Sequence, residues 1–183
     1  NLVAVANSED PRVLWGFLNR YAPTASPATL PGLDALVRYA VRYFRDFVRP
    51  KKTYHRADAV EAEALTKLSQ ALAALPAHAS GEEIQHALYD VARPIARYQD
   101  MKAKGATPER PGVSNAWFST LYRILLGEEK GPRFGSFVAL YGVAETRALI
   151  DKALSGALID EHAAFLAARA GKPALAGEAA KPA

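Results

Sequence analysis

Apolar residues recur at three- and four-residue spacing along most of this chain, and the recurrence is broken by proline, glycine or a capping residue. Asp10-Pro11 is an N-cap followed by proline at the first helical position. Val13, Leu14, Phe17, Leu18 and Tyr21 follow at helical spacing, and Pro23 ends the run. After the Pro27 and Pro31 loop the pattern predicts a long helix over 32–49, stopped by Pro50. Its apolar arc holds Leu36, Val37, Tyr39, Val41, Tyr43, Phe44, Phe47 and Val48, which are expected in the core. Asp58-x-x-Glu61 and Ser80-x-x-Glu83 are capping boxes that open two further amphipathic runs, the second ended or kinked by Pro94. Lys104 to Gly112 reads as a loop. Ser114 caps a helix running to Leu126 with Gly127 behind it. A short helix runs from Ser136 to Tyr141, and a last one from Val143 to about Leu154. No stretch alternates with period two and no Asn-Gly or Asp-Gly hairpin occurs.

The expected fold is therefore all-α, an irregular helical bundle of about seven helices. It occupies 1–163, as one body or as two sub-lobes of about 1–78 and 79–163. The Ala/Gly/Pro/Lys-rich stretch 164–183 has little to bury and is expected to be a mobile tail.

Composition narrows the chemistry. The 183 residues include no cysteine, which removes disulfides, thiolate nucleophiles and thiolate zinc sites. No apolar run reaches the roughly 18 residues a membrane helix needs, and no signal peptide opens the chain. The absent cysteine and absent signal fit a cytoplasmic protein, and no membrane partner is expected. The chain starts at Asn1 and its one methionine is Met101, so a fragment or processed product is expected. Net charge is only +4, but residues 32–56 carry +5, residues 57–90 carry −5 and residues 91–135 carry +4. Two basic blocks brought together by folding would suit a polyanion; alternating charge that merely solvates helices is the other reading.

Arg38, Arg42, Arg45 and Arg49 form one narrow ridge on the 32–49 helix, continued by Lys51, Lys52, His55 and Arg56. Like charges at this spacing repel by a few tenths of a kcal/mol per pair, so the ridge either contacts phosphates or is paired by nearby acids. Gly127, Gly131 and Gly135 punctuate the segment Gly127 to Gly135, where Lys130, Arg133 and Phe134 also lie. It lacks the Gly-Lys-Ser/Thr ending of a P-loop, and Arg133 is its natural anion reader; the alternative is a tight helix corner. Trp117, Phe118, Leu121, Tyr122 and Leu125 share one side of their helix, as core or, for Trp117 or Tyr122, as a stacking surface for an unpaired base. Arg123 points away from that side. Glu83-x-x-His86 is a lone pair with no second motif, and Glu83 is already explained as a cap. No self-contained catalytic, cofactor or metal constellation is present in the sequence.

Gly127 to Gly142 (GEEKGPRFGSFVALYG) resembles the C-terminal signature of class I lysyl-tRNA synthetases, as does the preceding pattern Ala116-Trp117-Phe118-x-x-Leu121-Tyr122-x-x-Leu125-Leu126-Gly127. Tyr39 to Lys52 (YAVRYFRDFVRPKK) is similar to an aromatic and basic stretch of that family. The likeness covers roughly 10–155 and leaves out the tail. The family's His-x-Gly-His and Lys-Met-Ser-Lys-Ser motifs are missing from this sequence. The resemblance implies the C-terminal helical, cage-like anticodon-binding region. It implies tRNA(Lys) and the protein's own N-terminal catalytic domain as partners, with ATP used in that missing domain and no cofactor here. The expected tRNA contacts are Arg38, Arg42, Arg45, Arg49, Lys51 and Lys52 on phosphates, and Arg123, Lys130, Arg133 and Phe134 nearer the anticodon. The alternative function is a helical protein-interaction or scaffold module that binds no nucleic acid.

Overall fold

In a computed structural model, residues 9–76 and 78–170 are described. Eight α-helices run in order: α1 (Pro11–Tyr21), α2 (Pro31–Tyr43), α3 (Ala59–Ala73), α4 (Gly81–Ala92), α5 (Asn115–Leu121), α6 (Phe134–Tyr141), α7 (Val143–Ser155) and α8 (Ala157–Ala170). A π-helical turn prolongs α2 over Phe44–Val48 and another prolongs α5 over Tyr122–Leu126. The described residues are 67% helical and the fold is essentially all-α. Among the described residues the only sheet is an antiparallel pair, β1 (Gln99–Asp100) and β2 (Gly112–Val113). It closes the loop that the sequence leaves irregular, and it needs Gly112: a Cβ there would lie 2.7 Å from the Asp100 carbonyl oxygen.

The helices begin where local hydrogen bonding satisfies their free amides. The Asp10 carboxylate accepts from the amide of Arg12. Both capping boxes form reciprocally, Asp58 with Glu61 and Ser80 with Glu83. Each removes two orphan donors, worth about 1 kcal/mol per cap. The π-turn after α5 stops at Gly127, which adopts φ 64°, a left-handed conformation that costs glycine nothing. Helix α8 continues through Ala170, into the stretch expected to be a mobile tail; residues 171–183 lie outside the described residues.

Buried apolar residues fall into two clusters. The larger joins α3 to α8 around Trp117, Tyr98, Phe134, Phe137, Leu65 and Leu88. The smaller sits in the α1–α2 hairpin around Leu14, Trp15, Val37 and Val41. A division near residue 78 would cut the larger cluster, because α3 and α4 pack on one another. Helices α4 and α6 approach closely. There the Gly135 amide donates to Gln85 Oε1 at 3.0 Å, and a Cβ on Gly135 would meet the Gly81 carbonyl oxygen at 2.3 Å.

Only part of the expected α2 arc is core. Val37, Val41 and Phe44 are buried, whereas Leu36, Tyr39, Tyr43 and Phe47 are each more than half exposed. At about 100° per residue these sets form two separate stripes, and among the described residues the helix is buried only along the first.

Candidate nucleic-acid interface

The site is organised by a junction between two distant segments. The chain leaves the α2 extension through a 3-10 turn at Arg49–Lys51 and then runs across the end of the α5 extension. The Thr53 amide donates to the Gly127 carbonyl at 2.9 Å and the His55 amide donates to the Arg123 carbonyl at 3.1 Å. Lys52 Nζ donates to the Leu126 carbonyl at 2.5 Å and lies 3.1 Å from Glu128 Oε1. A helix C-terminus presents unpaired carbonyls and partial negative charge, so an ammonium seated there is favourable. Burial nonetheless lowers the pKa of Lys52, opposed by the Glu128 carboxylate.

This placement corrects two expectations. Lys52 is only 4% exposed and serves as an internal tie, not as a surface phosphate contact. Phe134 is 1% exposed, packed against Tyr122 and Phe137, and presents nothing outward. Trp117 is fully buried beside Tyr98.

The other expected cations divide into paired and unpaired groups. Arg38 Nε donates to Asp34 at 2.7 Å and Arg45 Nε donates to Asp46 at 2.8 Å. Arg123 lies 3.8 Å from Glu129. Arg49 bonds Glu9 and stacks its guanidinium 4.0 Å from the Phe165 ring centre, which fixes it in place. Exposed pairs of this kind contribute about 0–1 kcal/mol, so Arg38, Arg45 and Arg123 can exchange a carboxylate for a phosphate at little cost. Arg42, Lys51, Lys130 and Arg133 are exposed, with no salt bridge among the described residues.

The loop Gly127–Arg133 separates two depressions. On one side a groove of about 300 Å³ is formed by Tyr43, Phe47, Val48 and Lys51 with Glu128. On the other a cleft of about 550 Å³ lies between α4, α5 and the loop, with Lys130 and Arg133 at its mouth. The loop is held by Tyr122, whose hydroxyl donates to the Pro132 carbonyl at 2.6 Å. Gly131 lies so close to the Tyr122 ring that a Cβ would be 2.7 Å from it. The structure thus brings Lys51, Lys130 and Arg133 to one loop from separate stretches. Arg38 and Arg42 lie farther back along α2.

The aromatic stripe of α2 is the element that sequence reasoning misplaced. Tyr39 and Tyr43 have ring centres 6.5 Å apart, and Tyr43 and Phe47 5.2 Å apart. The available signal was the number of apolar residues, which cover far more than one helix face.

Lysine–tRNA ligase of Roseobacter denitrificans is 44% identical over 161 residues, covering 88% of this chain and 28% of the relative. Lysine–tRNA ligase of Rickettsia bellii is 38% identical over 154 residues, covering 84% and 27%. That of Rickettsia felis is 36% identical over 151 residues, covering 82% and 26%. The chain is a homologue of one segment of the lysine–tRNA ligases. It spans roughly a quarter of the length of the curated relatives it matches, in keeping with a fragment of such an enzyme. No family model and no solved structure matches it. Among the described residues, no helix is long and apolar enough to cross a membrane, and no three His, Asp or Glu side chains gather as a metal site.

Proposed function

We propose that this chain is the helical anticodon-arm-binding part of a class I lysine–tRNA ligase. A catalytic portion outside this chain uses ATP to attach lysine to tRNA(Lys). The observation that carries the reading is the loop Gly127–Arg133, where Lys51, Lys130 and Arg133 stand exposed and unpaired among the described residues, in a homologue of tRNA ligases. Cations without carboxylate partners give up no existing pair when they meet phosphate, and each neutralised phosphate releases counterions. Arg42 extends the surface along α2, with Arg38 and Arg45 available by exchange. Gel shifts with tRNA(Lys), a noncognate tRNA and an acidic protein test it. The expected result is a shift of RNA alone, and loss of cognate preference in Arg133→Ala. A chain that shifts no RNA at low salt refutes the reading.

A second contact is favoured by the aromatic stripe Leu36, Tyr39, Tyr43 and Phe47. Its rings pack against one another, with centres 5.2–6.5 Å apart, and each residue is more than half exposed. A contiguous exposed apolar stripe of this kind marks a protein contact, and the relatives extend far beyond the matched segment. The occupant is the catalytic portion of the same polypeptide. Tyr43→Ser with Phe47→Ser should lower the melting temperature of the full-length enzyme and leave that of this chain alone unchanged. Equal effects on both refute docking.

A further inference from the structure

We infer that the cleft between α4, α5 and the Gly127–Arg133 loop accepts one unstacked nucleobase, with the adjoining phosphate held by Lys130 and Arg133. This rests on the tRNA-binding reading above and assigns a job to a cavity that reading does not use.

Size is the first argument. About 550 Å³ falls within the roughly 300–1,000 Å³ range of small-ligand sites, and suits one nucleotide, not a duplex. The walls are the second. Tyr89 and Phe118 are partly exposed and meet edge to face, with ring centres 5.8 Å apart. Both rings line the cleft, with the Arg93 guanidinium 6.0 Å over the Tyr89 ring centre, and single-stranded RNA readers stack bases on aromatic side chains of this kind.

The third argument is a fixed polar group. Gln85 is only 3% exposed, yet its side chain lines the cleft. Its Oε1 accepts from the Gly135 amide at 3.0 Å, which settles the orientation of the carboxamide. Nε2 then has no partner among the described residues and is left to the cavity as a donor. A base that offers an acceptor on its edge satisfies it; an empty site leaves it to water. Asn115 and Ser119 add adaptable hydrogen bonding on the α5 side.

The mouth supplies charge. Lys130 and Arg133 are exposed and unpaired among the described residues, while Glu129 also lines the cleft and lies 3.8 Å from Arg123. Cations over an aromatic cavity suit a nucleotide, whose base is flat and whose phosphate is anionic. Tyr122 holds the loop through Pro132, so the cleft is formed before anything binds, which lowers the entropy cost of capture.

The test uses this chain and the hairpin RNA of the tRNA(Lys) anticodon arm, with each loop base replaced in turn by an abasic ribose. Affinities are measured for wild type, Phe118→Leu and Gln85→Glu; the last keeps an oxygen for the Gly135 amide but removes the donor. We expect Phe118→Leu to weaken the intact hairpin about tenfold, and one abasic position to weaken wild type by a similar factor. Combining the two should cost no more than either alone. Arg42→Ala, outside the cleft, should instead weaken every hairpin by a constant factor. If wild type binds the hairpin but no abasic position couples to Phe118→Leu, the base pocket is refuted and the tRNA reading stands. If wild type fails to bind any hairpin, the tRNA reading falls and the pocket with it. Phe118 is partly exposed, so its leucine variant leaves the fold intact and decides the matter even if Gln85→Glu unfolds.

Discussion

Adding one methyl group at Gly135 should force α4 and α6 apart. The Cβ of Gly135→Ala would sit 2.3 Å from the Gly81 carbonyl oxygen and 2.9 Å from Gln85 Cβ. Backbone atoms cannot swing aside as a flexible side chain can, so α4 and α6 must part by roughly 0.7 Å to reach even a tight contact. Overpacking of this kind costs about 1–3 kcal/mol. Parting also stretches the Gly135–Gln85 hydrogen bond, worth about 1 kcal/mol. Alanine's better helix propensity returns at most about 1 kcal/mol. The net is a loss of about 2 kcal/mol, or some 4–8 °C in melting temperature for a domain of this size. Gly16→Ala is the control: it lies inside α1 with nothing within 4 Å of the added Cβ, so propensity acts alone and the variant should gain about 1 kcal/mol. Thermal and urea unfolding followed by circular dichroism measure both. A Gly135→Ala protein as stable as wild type, or stabilised like Gly16→Ala, would show that the α4–α6 contact is not rigid. Because Gly135 also orients Gln85, the variant should weaken the base pocket at temperatures where it remains folded.

Other outcomes follow from the same contacts. Lys52→Ala should destabilise the chain by about 2–3 kcal/mol in urea unfolding, since it leaves the Leu126 carbonyl unpaired in a buried place. A pure phosphate contact at Lys52 would instead leave stability unchanged and lower only RNA affinity. His162 is held below its ordinary pKa of 6.5, first by burial and then by the nearby Arg49 charge. On acidification the unfolded chain therefore takes up the proton first; stability is level above pH 6.5 and falls as pH drops toward the folded value, a fall that His162→Phe should abolish in melts between about pH 7 and 5. The Glu83 carboxyl is lowered by accepting from the Ser80 amide, so its contribution is full above 4.5 and is lost as pH falls further; Glu83→Ala should flatten that acid limb.

The helical order was readable because its signals are local. Asp58 with Glu61 and Ser80 with Glu83 are separated by three residues and form as reciprocal caps, and Gly127 stops a helix at a left-handed position. The Arg ridge was readable as a stripe. What it meets was not, because Glu9 and Phe165 reach Arg49 from the two ends of the described chain. Lys52 looked like one more surface cation since nothing in its neighbourhood announces that Leu126 and Glu128 will close over it. The strand pair has two residues on each side, too short for alternation to register. The cleft draws on Gln85, Tyr89, Asn115, Phe118 and the 129–134 loop, and only their packing makes it a cavity.

The central claim, that unpaired cations on this chain meet RNA phosphates, is tested most directly by salt. Anisotropy of a labelled tRNA(Lys) anticodon arm, titrated with this chain between about 50 and 200 mM salt, gives the logarithmic slope of affinity. Engagement of Arg42, Lys51, Lys130 and Arg133 with single-stranded phosphates predicts a slope of about −3, reduced by about 0.7 when any one of them becomes alanine. An affinity flat in salt, or a slope that none of the four substitutions alters, would contradict the account.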